Sequence, residues 1–198
     1  MANPPHLPPP PDADALHEAA LAYLARYAAT EAGLLRMLLR RIERWHRLAR
    51  HAAADDGDGD VAAQADAARA AARDVAARLA AAGAINDANY AESKVRSLVR
   101  AGRSRRAIGA QLAAKGVDPA TQHHVLREDA AETELAAALV LARRRRIGPF
   151  RSGAPPDAVG RRRELAILAR AGFPHGIALR AVALDPSEAQ ALVNQLRR

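Results

Sequence analysis

The chain has 198 residues, no cysteine, 3% aromatic residues and a formal net charge of +8 at pH 7. The lack of cysteine excludes disulfides and thiolate metal sites and fits a reducing compartment, the cytoplasm. Alanine dominates the apolar set and β-branched side chains are sparse, so the expected fold class is all-α, with close helix contacts, shallow burial per residue and no strands.

The charge is unevenly placed. Residues 1 to 85 carry 10 arginines and 11 acids, whereas residues 86 to 198 carry 20 Lys plus Arg and 11 acids, so the basic side belongs to the C-terminal part. Such a surface suits a nucleic acid or an acidic protein partner. Because only Lys94 and Lys115 are lysines, an arginine preference set by genome base composition accounts for the bias equally well.

The stretch Met1 to Pro11 has neither a charged start nor an apolar core, so it is no signal peptide; residues 1–14 read as an extended proline-rich tail. No segment is long and apolar enough to span a membrane. A first helix is expected over Ala15 to Arg26, capped by Asp12 or Asp14, with Leu16, Ala20, Tyr23 and Leu24 on one side. Thr30-Glu31 opens a second with Leu34, Leu38 and Ile42 as its stripe. Between Trp45 and Ala72 the pattern breaks, and the run Asp55-Asp56-Gly57-Asp58-Gly59-Asp60 predicts an exposed acidic loop, inserted over about residues 46–72. A calcium loop is disfavoured, because the glycine is displaced and no glutamate closes the pattern. Helical periodicity returns with Val75 and Leu79 and stops at Gly83.

Residues 85 to 127 give the clearest pattern, three short helices. Asp87 is the expected cap of the first, whose stripe is Ala91, Val95, Leu98 and Val99 and whose stop is Gly102. Ser104 caps the second, which carries Ile108 and Leu112 and ends at Lys115-Gly116. Asp118-Pro119 starts the third, with Val125 and Leu126 as its apolar edge. A further unit begins at Glu132 with Leu135, Leu139 and Ala142 on one face, and stops at Gly148-Pro149. After a second insertion, Ser152 to Gly160, come helices over Arg161 to Ala171, with Leu165 and Leu168, and over Ile177 to Val182. A last helix is capped by Asp185-Pro186-Ser187-Glu188, with Leu192, Val193 and Leu196 buried.

The spacing of Thr30, Leu34 and Leu38 recurs in Ser104, Ile108 and Leu112. Leu112-Ala113-Ala114-Lys115-Gly116-Val117 recurs in part in Leu168-Ala169-Arg170-Ala171-Gly172-Phe173. These echoes predict tandem three-helix repeats, three units over 15–84, 85–130 and 131–198, forming an elongated helical array.

No nucleophile elbow, phosphate loop or zinc-peptidase helix appears, so no catalytic, cofactor-binding or metal-binding residues are expected and the chain does not read as an enzyme. Neither His46 with His51 nor the pair His123-His124 sets two imidazoles together on one helix face with a third ligand. Arg143-Arg144-Arg145-Arg146 points around most of a helix cylinder, and it reads either as compensation for a helix C-terminus or as a partner contact. Tyr90 and Phe173 fall inside the apolar pattern, which favours core packing over base stacking.

Taken together these motifs resemble the RecX family of recombination regulators, whose chains are tandem three-helix units. The family's acidic-aromatic junction is similar to Ile85-Asn86-Asp87-Ala88-Asn89-Tyr90-Ala91. Its basic second helix resembles Gly102, Arg106, Ile108, Leu112, Lys115, Gly116 and Val117, and Gly172-Phe173 looks like its third-unit signature. Tyr23 to Thr30 with Leu34, Arg36 and Leu38 is similar to the version in alphaproteobacterial members. Gln111 stands where the family often has Glu, Thr30 replaces the usual Ser, and the acidic insertion splits the first unit. The resemblance implies a monomeric, cytoplasmic accessory protein of DNA repair, recombination and the SOS response. It would bind RecA and the RecA filament on single-stranded DNA, and restrain recombinase, ATPase and co-protease activity. It places a basic, partner-facing helix around Arg103, Arg105, Arg106 and Lys115 of the second unit, and the arginines of the third unit add Arg143, Arg144 and Arg161 as further candidate contacts. The alternative is a helical protein that binds DNA directly through the C-terminal arginines, or a regulator with weak nucleic-acid binding of its own.

Overall fold

The computed structural model describes residues 9–52, 58–127 and 130–196. Most of the proline-rich tail, and Asp55 to Gly57 of the acidic run, lie outside the described residues. Among those described, the fold is all-α, with ten α-helices and one 3₁₀ turn and no strand. No helix among them is long and apolar enough to cross a membrane. The chain divides after Tyr90 into two compact units.

In the first unit, α1 (Ala13–Leu24) is capped by Asp12, whose Oδ1 accepts the Ala15 amide at 2.8 Å. Helices α2 (Glu31–Ala52) and α3 (Asp58–Ala81) complete the unit. Their core is Leu16, Ala20, Leu34, Leu38, Ile42, Ala72, Val75, Leu79 and Ile85. The expected stripe Leu34, Leu38 and Ile42 is fully buried. Two side chains hold the start of α2: Thr30 Oγ1 accepts the Gly33 amide at 3.0 Å, and Asp87 Oδ1 accepts the Glu31 amide at 3.0 Å. Asp87 therefore caps α2, and its own helix is capped by Asn86, which accepts the Asn89 amide at 2.9 Å.

The acidic insertion differs most from expectation. Residues 46–52 continue α2 and residues 58–72 belong to α3, so the described parts of the segment are helix. Trp45, Ala49 and Ala65, with Val61 against them, form a second small apolar cluster that carries the two helices past the main core. On its outer side Arg69 pairs with Glu43 and Asp66 at 3.2 and 2.6 Å. Alanine-rich sequence keeps helical propensity where the apolar stripe thins, and this outweighs the glycine and aspartate signals.

The second unit holds most of α4 (Asp87–Arg100), then α5 (Arg105–Lys115), α6 (Pro119–Val125), α7 (Ala130–Arg145), the 3₁₀ turn Gly148–Phe150, α8 (Ala158–Arg170), α9 (His175–Ala183) and α10 (Pro186–Gln195). Nearly all of the second and third repeats read from the sequence thus lie in one compact unit. Helix α7 is its centre, packing against α8, α9 and α10. Glu134 to Leu139, Leu141 and Ala142 are buried, so α7 is covered almost all round rather than on one face. The run Ala136-Ala137-Ala138 lets neighbours approach from several sides, and alanine adds no stripe that a periodicity reading would register.

Five helices close in the same way. After α3, α4, α5, α7 and α8, the amides of Gly83, Gly102, Gly116, Arg146 and Gly172 bond three residues back, and the next amide bonds five residues back. This Schellman arrangement puts the turn residue in the left-handed region, with φ of 74°, 72°, 83°, 55° and 91° respectively. Four of the positions are glycine and one is Arg146. Helix α7 therefore ends at Arg145, three residues before Gly148-Pro149, the stop expected from the sequence.

Helix α8 starts one turn earlier than Arg161, capped by Asp157, whose Oδ1 accepts the Gly160 amide at 2.7 Å. Four residues before Leu168 it carries Glu164, where α5 carries Ile108 four before Leu112. This buried carboxylate accepts two bonds from the Arg151 guanidinium, at 3.1 and 2.6 Å. The paired geometry offsets the desolvation that an unpartnered carboxylate would suffer.

Candidate docking site

The loop from α4 to α5 organises the basic side of the second unit. Gly102 ends α4 against α7: a Cβ there would meet the Leu141 amide and Val140 Cγ1 at 3.0 Å and the Ala137 carbonyl at 3.1 Å. Only glycine permits both the left-handed turn and this approach. Two residues on, Ser104 is fully buried. Its Oγ accepts the Ala107 amide at 3.3 Å and donates to the Ala171 carbonyl at 2.7 Å.

A third group holds the start of α5. Both oxygens of Glu134, projecting from α7, accept the Arg105 amide at 3.2 and 3.0 Å. Burial pushes the Glu134 carboxyl above the ordinary carboxylate range, against the opposing pull of the Arg105 amide and charge. A carboxylate at a helix N-terminus also meets the positive end of the helix dipole.

These contacts gather the C-terminal ends of α4, α7 and α8 around one cleft of about 350 Å³, lined by Gly102, Arg103, Leu141, Arg144, Arg145, Ile167, Arg170 and Ala171. The lining has four arginines and no carboxylate. Among the described residues none of the four forms a salt bridge. Three helix C-termini contribute about −0.5 elementary charge each, about −1.5 together, against +4 from the guanidiniums. Compensation of helix ends therefore leaves a net of about +2.5, enough to attract a multivalent anion or an acidic surface.

The residues expected at a partner surface are partly brought together. Arg103 and Arg144 share the cleft, joined by Arg145 of the same arginine run and by Arg170, which no sequence pattern marks as a contact. Arg105 and Arg106 line a second, more apolar cleft of about 270 Å³ with Ala131, Glu134, Gly172, Pro174 and Ile177. Arg105 is half-buried and its Nε is enclosed without a hydrogen-bond partner, so it is not the freely solvated side chain that its sequence position suggests. Arg143, Lys115 and Arg161 line neither cleft; Arg143 is half-buried and the other two are exposed. Phe173 is buried and Tyr90 half-buried. Among the described residues no three His, Cys, Asp or Glu side chains come together as a metal site.

Fold and cleft define an all-α protein of the helical-repeat class, with a cationic cleft built where helices end. The segment 86–126, covering α4 to α6, matches the second three-helix domain of RecX. Over 182 residues the chain is 38% identical to the regulatory protein RecX of Myxococcus xanthus, spanning 87% of this chain and 86% of that one. It is 35% identical over 111 residues to regulatory protein RecX of Agrobacterium fabrum, 56% of this chain and 58% of that one. With regulatory protein RecX of Mycobacterium avium it shares 39% over 108 residues, 53% of this chain and 60% of that one. No solved structure matches it. The chain belongs to the RecX family of regulatory proteins.

Proposed function

We propose that the chain binds RecA, chiefly the RecA filament on single-stranded DNA, and restrains its ATPase, recombinase and co-protease activities in the cytoplasm. Family membership supports the reading, and the observation that carries it is the cleft with four arginines and no carboxylate. Arginine forks grip carboxylates with paired, charge-assisted bonds, so the cleft is built to receive an acidic protein surface. The partner surface comprises Arg103, Arg144, Arg145 and Arg170, with Arg106 at the neighbouring cleft and Lys115, Arg143 and Arg161 outside both. Three-helix repeats offer related surfaces at a regular step, which suits docking of a monomer along a filament.

A second reading is direct DNA binding by the same arginines, favoured by the cleft's lack of acids. Titrating the chain into RecA filaments on single-stranded DNA while following ATP hydrolysis tests the first. Hydrolysis falling with added protein supports a filament regulator. Hydrolysis unchanged, with salt-sensitive DNA binding in the absence of RecA, supports the direct binder.

A further inference from the structure

The first unit carries a basic surface that its near-neutral total charge conceals. Six of its ten arginines lie on α2. At about 100° per residue, Arg36, Arg40, Arg44, Arg47 and His51 fall within an arc of about 80°, centred roughly 160° from the buried face of Leu34, Leu38, Ile42, Trp45 and Ala49. All five are exposed. At 1.5 Å per residue the stripe runs about 22 Å along the helix. The nearest acid on the same helix, Glu43, is already paired with Arg69 of α3 at 3.2 Å. Among the described residues Arg40, Arg44 and Arg47 form no salt bridge.

We propose that this face of α2 docks on the phosphate backbone of duplex DNA, independently of the cleft in the second unit. Three features select that partner. The four arginines lie in a straight line rather than a cluster, which fits a linear polyanion. No large apolar side chain lies within the arc, whereas protein partners are held by buried aromatic or aliphatic anchors. No aromatic lies within it either, and Trp45 is buried, so the bases of a single strand find nothing to stack on. Contact is then to phosphates alone, and the duplex presents them most densely, one charge per about 1.7 Å of axis. Such binding is indifferent to sequence, since phosphate contacts position a protein without reading bases.

The test is fluorescence anisotropy of a labelled duplex, and of one of its strands alone, with the full chain and no RecA, over a range of salt. The substitutions are Arg40→Gln, Arg44→Gln and Arg47→Gln combined, compared with Arg144→Gln and Arg145→Gln in the cleft. Duplex should bind more tightly than single strand. The α2 variant should lose at least about 10-fold in affinity, and its log–log salt slope should become shallower by about 2.7, three contacts at about 0.9 each. The cleft variant should lose less than the α2 variant on both counts, and an equal or greater loss would place the duplex contact in the cleft and overturn the proposal. Unaltered duplex affinity in the α2 variant overturns the proposal, as does tighter binding of the single strand, or equal loss of affinity for polyglutamate, which would mark the face as one for acidic protein. The RecA reading stands or falls on the ATP hydrolysis titration, which is measured separately, so failure of this proposal and failure of that reading are distinguishable.

Discussion

The Ser104 hydroxyl donates to the Ala171 carbonyl at 2.7 Å while accepting the Ala107 amide at 3.3 Å, so one buried side chain caps the start of α5 and the end of α8. Ser104→Ala removes both bonds. It should cost roughly 1–3 kcal/mol in denaturant unfolding, the sum of a cap and a neutral hydrogen bond. Unchanged stability would mean that water replaces both.

Gly172 faces the same hydroxyl. Its φ is +91°, and a Cβ there would stand 2.7 Å from Ser104 Oγ. Gly172→Ala should therefore cost about 2 kcal/mol or more, part backbone strain and part collision. In a Ser104→Ala background the collision disappears, so the double variant should be more stable than the sum of the singles predicts. Strict additivity would show that only the backbone term operates.

Arg146 occupies, at φ 55°, the position that glycine fills at the ends of α3, α4, α5 and α8. Arg146→Gly should relieve left-handed strain of about 1–2 kcal/mol and lose part of it to the freer unfolded chain, leaving a gain of up to about 1 kcal/mol. The check is a rise in melting temperature. A fall would show that the Arg146 side chain stabilises more than its backbone costs.

Glu134 gives the chain a pH signature. Its carboxyl is raised above the ordinary range by burial, so over the interval between its unfolded and folded pKa the native state holds the proton more firmly than the unfolded one. The contribution is thus favourable below the unfolded pKa and lost as pH rises through the folded one. Glu134→Gln keeps an acceptor for the Arg105 amide and removes the titration. Its melting temperature relative to wild type should therefore increase from pH 4 to pH 7. A constant difference would contradict this.

Much of the fold was legible because caps, stops and stripes coincide: Asp12, Thr30, Ser104, Asp118, Gly102, Gly116 and the buried Leu34, Leu38, Ile108 and Leu112 all stand where the sequence places them. What escaped was long-range or alanine-based. Asp87 caps a helix 56 residues away in sequence, which no local pattern announces. The α2–α3 extension rests on Trp45, Ala49 and Ala65, too thin a stripe to compete with the Asp-Gly run. The cleft brings Arg103, Arg144, Arg145 and Arg170 together because three helices end there, and no local pattern announces that meeting. Glu134 and Glu164 sit inside helical patterns, and their burial follows only from their partners, the Arg105 amide and Arg151.

Leu112, 1% exposed at the heart of α5, supplies the packing control for any charge variant. Leu112→Ala should cost roughly 2–5 kcal/mol by chemical denaturation, the transfer and cavity terms together. A smaller loss would indicate that the site collapses around the shorter side chain.

The central claim, that the cleft between the ends of α4, α7 and α8 engages RecA, is tested most directly by charge reversal there. Arg103→Glu, Arg144→Glu and Arg145→Glu are all at exposed positions, where single substitutions usually change stability by no more than about 0.5 kcal/mol. The measurement is inhibition of RecA ATP hydrolysis on single-stranded DNA by the triple variant, after circular dichroism establishes that its helix content equals the wild type's. The account predicts that inhibition is lost at concentrations where the wild-type chain is fully effective. Full inhibition by the triple variant would contradict it.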